Sequence, residues 1–400
     1  MNTKVLRDDF SFLTQSRWIY FDNACQSLRP RQVVEAIADY YNNYPVCAGR
    51  SNYRLAVELQ NKLTEVRQQV TDFIGAKKSN EIVFTRNTTE GINLIANSYP
   101  FAVGDVVLIS DKEHNSNLVP WLLLAKTKKI KVEVVSTNPN NTWNWESFNQ
   151  KLSNKVKIVA LGITSNLDGA TIPFEEIIKK SHQFGAKVLL DGAQWAGHHQ
   201  TEVSKWGTDF FVFSGHKTLG PTGTGVLYGK EEELAKLQPY QVGGSTVADT
   251  SYTDFELLGI PERFEAGLQD YSGILGLGEA LRYLGSIGWS EIEAHEKELT
   301  EIIIEGLEKI PDINIIGPKE SDKRSGIISF YHPKAESHQI SIILDQTANI
   351  MVRSGRHCVH SWFNDRGVKD CVRASTAFYN TIEEAEKTIT ELKKIVEVLT

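Results

Sequence analysis

Short apolar runs alternate with longer amphipathic stretches from Trp18 to about Tyr228. Two of the runs, Val188–Leu190 and Phe210–Phe213, are apolar at consecutive positions, as expected for strands that are buried on both faces. The alternation predicts a mainly parallel sheet with helices on both of its faces. The predicted strands are Glu81–Thr85, Val106–Ser110, Lys131–Ser136, Lys157–Thr164, Lys187–Asp191, Phe210–Ser214 and Gly225–Tyr228.

Helical patterns predict the remainder of the architecture. From about Asn52 to Ile74, apolar residues recur every three or four positions and stop at Gly75, which predicts a helix that faces the core. The polar segment Asn138–Asn144 is predicted to be a surface loop. Beyond Gly267 we predict helices at Tyr271–Leu284, Trp289–Lys309 and from about Thr381, and a strand at Ser325–Tyr331. We therefore predict a large α/β domain over residues 19–264 and a smaller α+β domain from residues 1–18 and 265–400.

Composition limits the class of protein. The chain has 400 residues, of which 41% are hydrophobic and 23% charged, as in ordinary folded proteins. Its formal net charge is -7 and its basic residues are scattered, so we predict that it does not bind nucleic acid. No apolar run approaches the roughly 18 residues of a membrane span, and the charged N-terminus lacks the apolar segment of a signal peptide. We expect a cytoplasmic protein that does not contact a membrane.

Residues that follow the predicted strands carry candidate chemistry. Lys217 comes directly after the strand Phe210–Ser214, where a lysine can form a Schiff base, although a surface lysine would give the same pattern. Asp191 ends another buried strand, where it can pair with the ring nitrogen of pyridoxal phosphate (PLP) or cap a helix. Thr88 and Thr89 open a helix, where they can bind a phosphate or belong to a capping box.

Several motifs stand in order along the chain and carry a resemblance to a known family. The sequence resembles PLP-dependent cysteine desulfurases, in particular the Suf-type branch of the class V aminotransferase family, from about Tyr20 to Asn380. The motifs are Thr85–Glu90, Glu113–Trp121, Ser165-Asn166, Asp191–Gln194, Ser214–Lys217, Arg263–Gly267 and Arg373–Ser375. The resemblance implies the PLP-dependent transferase (aspartate aminotransferase-like) fold.

The resemblance also implies an activity and its partners. The enzyme would remove sulfur from L-cysteine with PLP as cofactor, leaving L-alanine and a persulfide on a cysteine of the chain. That sulfur would pass to an acceptor or scaffold protein of iron–sulfur cluster or other sulfur-cofactor assembly. A side activity as a selenocysteine lyase and a homodimeric assembly are implied as well. Another PLP lyase or a transaminase on the same scaffold is an alternative function, because a fold does not determine a reaction.

Individual residues receive roles from the same resemblance. Lys217 would hold PLP and then remove the α proton, His114 would stack on its ring, and Asp191 would pair with the ring nitrogen. Gln194 would hydrogen-bond the phenolic oxygen of PLP. The phosphate of PLP would be bound by Thr88, Thr89, Ser214 and His216. Asn166 would bind the cofactor and also reach the substrate.

The substrate and the transferred sulfur would meet other residues. Arg373 and Asn166 would bind the substrate carboxylate, the arginine through two parallel hydrogen bonds, and Asn23 would line the substrate pocket. Cys358 matches the family's persulfide-forming cysteine, and the neighbouring Arg356 and His357 would favour its thiolate.

The sequence departs from the family pattern at several positions. Leu268 stands where the family has a threonine that reaches the partner subunit's phosphate, and leucine cannot donate a hydrogen bond. Gly49 and Tyr53 replace histidines of the arm after the first helix, and Arg356 replaces the first of two histidines before Cys358. We therefore expect substrate handling that differs from that of the family.

The cysteines open a second hypothesis. The chain has four cysteines and no C-x-x-C pair, so a disulfide framework is not predicted. Cys25 follows Asp22-Asn23-Ala24 in a turn that lines the substrate pocket in the family, and Cys47 precedes the next arm. If both lie beside Cys358, the three thiolates are candidate ligands of an iron–sulfur cluster, and the chain would be a cluster-binding protein with low desulfurase activity. The alternative is that Cys25 merely replaces an alanine and Cys47 lies on a loop; Cys371 is predicted to be structural.

Overall fold

The computed structural model describes residues 3–49 and 51–400. The strands are β1 (Ile19–Tyr20), β2 (Ile82–Thr85), β3 (Val106–Ser110), β4 (Lys131–Val135), β5 (Val156–Gly162), β6 (Lys187–Asp191), β7 (Phe210–Ser214), β8 (Gly225–Gly229), β9 (Val247–Thr250), β10 (Phe255–Leu257), β11 (Asn314–Ile316), β12 (Ile327–Tyr331), β13 (Ile350–Met351), β14 (Arg353–Gly355) and β15 (Cys371–Ser375). The α-helices are α1 (Thr3–Arg7), α2 (Ser11–Gln15), α3 (Arg31–Asn43), α4 (Arg54–Phe73), α5 (Thr88–Ser98), α6 (Val119–Thr127), α7 (Trp145–Lys151), α8 (Phe174–Gln183), α9 (Val203–Trp206), α10 (Glu231–Leu234), α11 (Tyr271–Ile287), α12 (Trp289–Glu308), α13 (Ser337–Ala348), α14 (His360–Arg366) and α15 (Ile382–Leu399). Short 3-10 helices lie at Ser79–Glu81, Asn115–Asn117, Gly215–Lys217, Glu262–Phe264 and Ser321–Lys323.

A seven-stranded sheet with the order β2-β8-β7-β6-β5-β3-β4 forms the centre of the larger part of the molecule. Strands β7, β6, β5, β3 and β4 pair in parallel, whereas β8 is antiparallel to both of its neighbours. All seven strands that the sequence predicts between Trp18 and Tyr228 belong to this sheet, with ends that agree within two residues. The prediction of a mainly parallel sheet is therefore confirmed.

Apolar residues fill both faces of the sheet. Leu190 and Phe211 pack into a core beneath α4, α7, α8 and α11, while their chain neighbours Leu189 and Val212 pack into a second core beneath α5 and α6. Successive side chains of a strand point to opposite faces, so a strand with a core on each side needs apolar residues at consecutive positions. This requirement explains the apolar runs in β6 and β7.

The C-terminal part of the chain forms a second, antiparallel sheet with the order β11-β12-β15-β14. Helices α12, α13 and α15 cover one face of it through an apolar cluster that includes Leu299, Leu344 and Leu392. The N-terminal segment joins this part, because β1 pairs in parallel with β13. The predicted domain boundaries, between residues 18 and 19 and between residues 264 and 265, stay a prediction. No α-helix in residues 3–49 or 51–400 is both long and apolar enough to cross a membrane.

A buried polar network connects the two parts beside the large sheet. Lys112 Nζ lies 3.1 Å from Asp168 Oδ2 and donates to Asn141 O at 2.8 Å, and Asn141 Nδ2 donates to Asp168 Oδ2 at 2.9 Å. Trp362 Nε1, on α14, donates to Asn141 Oδ1 at 3.2 Å. The prediction that Asn138–Asn144 is a surface loop is therefore wrong at Asn141, which is buried because its amide fills a polar gap between Asp168 and Trp362.

We expect the substitution Lys112→Met to lower the free energy of unfolding by about 3–5 kcal/mol, because it leaves the buried Asp168 carboxylate without its counter-charge. Urea denaturation followed by circular dichroism measures this change. Lys394→Met is the matched control: Lys394 pairs with Glu391 on the exposed face of α15, where an ion pair contributes about 0–1 kcal/mol. Equal losses in the two variants would contradict the prediction.

Candidate active site

A cavity of about 500 Å³ lies where the parallel strands of the large sheet end. The final residues of β3, β5, β6 and β7 line it, as expected at the carboxyl edge of such a sheet. Twelve of the fourteen predicted site residues also line it; they are Cys25, Thr88, Thr89, His114, Asn166, Asp191, Gln194, Ser214, His216, Lys217, Cys358 and Arg373. The other two, Asn23 and Cys47, do not.

Lys217 and Asp191 approach the cavity from neighbouring strands. Lys217 ends the short 3-10 helix Gly215–Lys217 that follows β7, so it lies in the cavity and not on the outer surface. Burial lowers the pKa of Lys217, and the nearby Asp191 opposes that effect. Asp191 ends β6 and accepts a hydrogen bond from the Ala193 N–H at 2.9 Å; turns follow it, so it caps no α-helix. Burial raises the pKa of Asp191, whereas the Ala193 N–H and the charge of Lys217 lower it.

His114 and Gln194 present polar groups to the same space. His114 Nδ1 accepts a hydrogen bond from the Ser116 N–H at 3.0 Å, which orients the ring. Burial lowers the pKa of His114 to about 3, with help from the positive charges of Lys217 and Arg373, so the imidazole is neutral near pH 7. Gln194 Nε2 donates to Ala24 O at 2.8 Å, while Gln194 Oε1 is buried without a hydrogen-bond partner among the described residues.

Four hydroxyl groups collect at the first turn of α5. The Thr88 Oγ1 and Ser214 Oγ atoms lie 2.7 Å apart, and so do Thr89 Oγ1 and Ser116 Oγ. Helix capping does not occupy these threonines, because Asn87 is the N-cap residue and its side chain accepts the N–H of the third helical residue at 3.0 Å. Hydroxyl and N–H donors at the N-terminus of an eleven-residue helix are suited to bind an anion. Of these residues, Ser116 had not been identified from the sequence.

Arg373 lies at the bottom of the cavity and is almost fully buried. Its Nη1 donates to Asn166 O at 2.8 Å and its Nη2 lies 3.4 Å from Asp22 Oδ1, while Nε has no hydrogen-bond partner among the described residues. The Asn166 side chain donates to His357 O at 2.7 Å, so it also anchors the loop that carries Cys358. An arginine held in this way can receive a carboxylate.

Cys358 lies on a tight loop between β14 and α14. Its φ is 60° and that of His357 is 48°, so two consecutive side-chain-bearing residues adopt the left-handed region. This conformation costs roughly 1–2 kcal/mol per residue and persists where surrounding contacts fix it. One such contact is the Asn115 N–H, which donates to Cys358 O at 2.8 Å and connects the loop to the His114 turn. The thiol itself is exposed.

The charged groups around Cys358 are not those that the sequence predicts. Burial lowers the pKa of His357 to about 2, so His357 is neutral and cannot favour a thiolate by charge. Arg356 donates to Lys369 O at 2.9 Å and to Asn364 Oδ1 at 2.8 Å, which directs its guanidinium to that side of the loop. Arg353, which had not been assigned a role from the sequence, interacts electrostatically with Cys358 and lines the cavity.

Comparison with known proteins agrees with this geometry. The family model described as "Aminotransferase class-V" matches residues 19–388. A cysteine desulfurase of Enterobacter sp. (strain 638) is 37% identical over 398 residues, which are 98% of this chain and 97% of that protein. The chain belongs to the aminotransferase class-V family and, within it, to the cysteine desulfurases.

Two solved structures of this family have nearly the same fold. The apo structure of the cysteine desulfurase from Thermococcus onnurineus NA1 has a TM-score of 0.95 and 37% identity, over 99% of this chain and 98% of that one. A cysteine desulfurase of Escherichia coli, solved with an S-sulfonic acid, has a TM-score of 0.92 and 30% identity over the full length of both chains. The predicted PLP-dependent transferase fold is thereby confirmed; the assignment to the Suf-type branch stays a prediction.

Asn23 does not reach the cavity of this family member. Its Nδ2 donates to Ser375 O at 2.6 Å and to Asn380 Oδ1 at 3.1 Å, and its Oδ1 accepts the hydroxyl hydrogen of Tyr379. The side chain therefore has no free group for a substrate, and the predicted substrate contact is corrected to a structural role. Asn23 fixes the turn that presents Cys25 to the cavity.

The three candidate cluster ligands do not converge within one chain. Cys25 and Cys358 line the active-site cavity, but Cys47 lines a second cavity of about 660 Å³ with Tyr271 and Leu268. Among the described residues, no group of three or more His, Cys, Asp or Glu side chains is arranged to hold a metal ion. The expectation that Cys47 lies beside Cys358 is therefore wrong for a single chain, because the arm that carries Cys47 packs near the start of α11. Cys371 is buried in β15, and burial raises its pKa to about 12.

His357 gives a prediction about acid sensitivity. Its folded pKa is depressed to about 2 from an ordinary value of 6.5, so the unfolded chain binds a proton there below about pH 6.5 and the folded chain does not. Stability is therefore lost as the pH falls through this window. Between pH 7.5 and 5.0, the free energy of unfolding of His357→Asn should fall by about 2 kcal/mol less than that of the wild type. Urea titrations of both proteins at the two pH values test this; parallel losses would contradict it.

Proposed function

We propose that this chain is a PLP-dependent cysteine desulfurase that converts L-cysteine to L-alanine and stores the sulfur as a persulfide on Cys358. The proposal rests on one observation: Lys217, Asp191 and Cys358 line the same cavity, with the exposed thiol on a loop above the strand ends. The curated relatives that cover nearly the whole chain bear the name cysteine desulfurase, which supports the same reaction.

The donor set of the cavity fits PLP. The hydroxyl groups at the N-terminus of α5 line the cavity and are suited to bind its phosphate, and the buried Asp191 carboxylate is suited to the ring nitrogen. The neutral His114 is an aromatic surface for the ring, and the amide of Gln194 retains an unpaired oxygen in the cavity. PLP, when bound, supplies an electron sink for bonds at the α carbon of an amino acid.

Lys217 is suited to two tasks at its Nζ atom. Because burial lowers its pKa, a larger fraction of the amine is uncharged near pH 7 than for an exposed lysine. An uncharged amine at this place would hold the cofactor covalently and would act as a base for the α proton of the substrate. Asp191, held by the Ala193 N–H, supplies the fixed negative charge that keeps the cofactor's ring nitrogen protonated.

Two further residues of the cavity are suited to act on the substrate, Arg373 by binding it and Cys358 by attacking it. Arg373 is fixed by Asn166 and Asp22 and has an unpaired Nε, so it is suited to receive the substrate carboxylate. The Cys358 thiolate then attacks the substrate's sulfur atom, and the electron pair of the carbon–sulfur bond stays with the substrate carbon. An exposed Cys358 can pass its sulfur to an acceptor or scaffold protein. Such a thiol needs a reducing compartment, which agrees with the predicted cytoplasmic location.

An assay with L-cysteine tests the activity. The PLP-loaded protein, incubated anaerobically with L-cysteine and dithiothreitol, should form L-alanine and sulfide in equal amounts, measured by chromatography and by methylene blue. Pyruvate and ammonia in place of alanine would identify a lyase, and a keto acid without sulfide would identify a transaminase. Either of those results would overturn the proposal.

We also propose that the enzyme is a homodimer. Large apolar side chains are exposed along residues 242–268, a segment that contributes to the lining of the second cavity and in which Gly267 donates its N–H to Gly244 O. They are Val242, Tyr252, Phe255 and Leu268. A single chain gains nothing from exposing these groups, whereas a second copy would cover them.

Light scattering coupled to size exclusion at micromolar concentration is expected to give twice the chain mass of 44.9 kDa. The double variant Val242→Asp/Leu268→Asp should lower that value toward a single chain, because it puts charges into the proposed interface. A wild-type mass near 45 kDa would refute the dimer.

A further inference from the structure

A second thiol lies in the active-site cavity and has no role in the reaction described above. Cys25 is half-buried on the turn after β1, where its N–H donates to Asp22 O at 3.0 Å. Neighbouring contacts fix this turn: the Ala24 N–H donates to Ser375 Oγ at 2.9 Å, and Ala24 O accepts from Gln194 Nε2 at 2.8 Å. Cys25 is therefore held at the cavity wall by the same residues that shape the cofactor site.

Arg353 connects this thiol with Cys358. Its guanidinium lines the same cavity as the two thiols and interacts electrostatically with both Cys25 and Cys358. Asp22 holds the guanidinium in place, with Oδ2 3.5 Å from Arg353 Nη1. Both thiols line the cavity together with Lys217.

We propose that Cys25 is a second sulfur-carrying residue, which takes the terminal sulfur of the Cys358 persulfide and frees Cys358 for another turnover. The inference rests on the proposed function, because that reaction supplies the persulfide. It assigns Cys25 a catalytic role in sulfur transfer within one chain. The site would then hold two transferable sulfur atoms when no acceptor is present.

The transfer is balanced without an added oxidant or reductant. The Cys25 thiolate attacks the terminal sulfur of Cys358–S–SH, and a bond forms between Cys25 Sγ and that sulfur. The bond between the terminal sulfur and Cys358 Sγ breaks, and its electron pair leaves with Cys358 as a thiolate. The proton stays on the transferred sulfur. The persulfide extends the reach of Cys358 by one sulfur–sulfur bond of about 2 Å within the cavity that Cys25 also lines.

Alkylation and peptide mapping test the proposal on the PLP-loaded protein. L-cysteine is added anaerobically without reductant, the reaction is stopped with iodoacetamide at increasing times, and persulfides are located by mass spectrometry. Trypsin separates the thiols, since Cys25 falls on the peptide Trp18–Arg31 and Cys358 on His357–Arg366. We expect sulfur on Cys358 first and on Cys25 later, with total sulfane sulfur rising toward two per chain.

Variants distinguish the transfer of sulfur from Cys358 to Cys25, called the relay below, from other outcomes. Cys25→Ser should stop at one sulfur per chain on Cys358, Cys358→Ala should carry none on Cys25, and the control Cys47→Ser should behave like the wild type. Alanine formation with an unmodified Cys25 would overturn the relay and leave the proposed function intact. A Cys25–Cys358 disulfide with released sulfide would also overturn it, as would sulfur on Cys25 in Cys358→Ala. No alanine and no persulfide in the wild type would overturn both proposals.

Discussion

Replacing Lys217 with alanine is expected to abolish covalent attachment of PLP and to lower kcat/KM for L-cysteine by at least about 10²–10⁴-fold, the usual contribution of a positioned acid–base group. The reason is structural. Lys112 is the only other lysine that lines the cavity among the described residues, and its Nζ is bonded to Asp168 and Asn141, away from the open space. No second amine can therefore take over the role of Lys217.

Borohydride reduction followed by peptide mapping measures the attachment. The wild type should carry the reduced cofactor on the peptide that contains Lys217, and Lys217→Ala should carry none. Lys205→Ala is a suitable control, because Lys205 is exposed on α9 and pairs with Glu202 outside the cavity; both readings should match the wild type. Label on another lysine of Lys217→Ala would contradict the assignment.

The substitution Cys358→Ala is expected to eliminate the protein-bound persulfide and to lower sulfide release from L-cysteine by about 10³-fold or more, since removal of a nucleophile removes its reaction path. Cofactor binding should be unchanged, because Cys358 is not among the residues proposed to hold PLP. The visible absorption of bound PLP, for which Lys217, Asp191 and His114 are the proposed binding residues, serves as the internal check.

A matched control uses the other exposed cysteine. Cys47→Ala should retain both the persulfide and sulfide release, because Cys47 lines a different cavity. If Cys47→Ala lost the persulfide while Cys358→Ala retained it, the roles assigned to the two thiols would be wrong. Loss of iron from both variants after anaerobic reconstitution would instead revive the cluster hypothesis, with Cys47 supplied by a second chain.

Local pattern determined the large sheet. Strands such as β6 and β7 lie between two apolar cores, so consecutive apolar residues distinguish them from half-exposed strands. The place of the cavity also followed from the sequence, because polar residues directly after parallel strands must meet at one edge of the sheet. Lys217, Asp191 and Thr88 were found in this way, and the ordered motifs supplied the family.

Tertiary contacts decided what no local pattern could indicate. Asn23 and Gln194 are both polar residues on turns beside the cavity. In the folded chain the side chain of Asn23 has hydrogen-bond partners for both its oxygen and its nitrogen, whereas Gln194 Oε1 has no partner among the described residues. The position of the Arg353 charge at the cavity and the neutrality of His357 likewise depend on packing and on groups far away in sequence. The separation of Cys47 from Cys25 depends on where an arm packs. Hydrogen-bond satisfaction, desolvation and long-range proximity are properties of the packed structure, so the sequence determined the scaffold and its catalytic edge, and the fold decided which polar groups remain free to react.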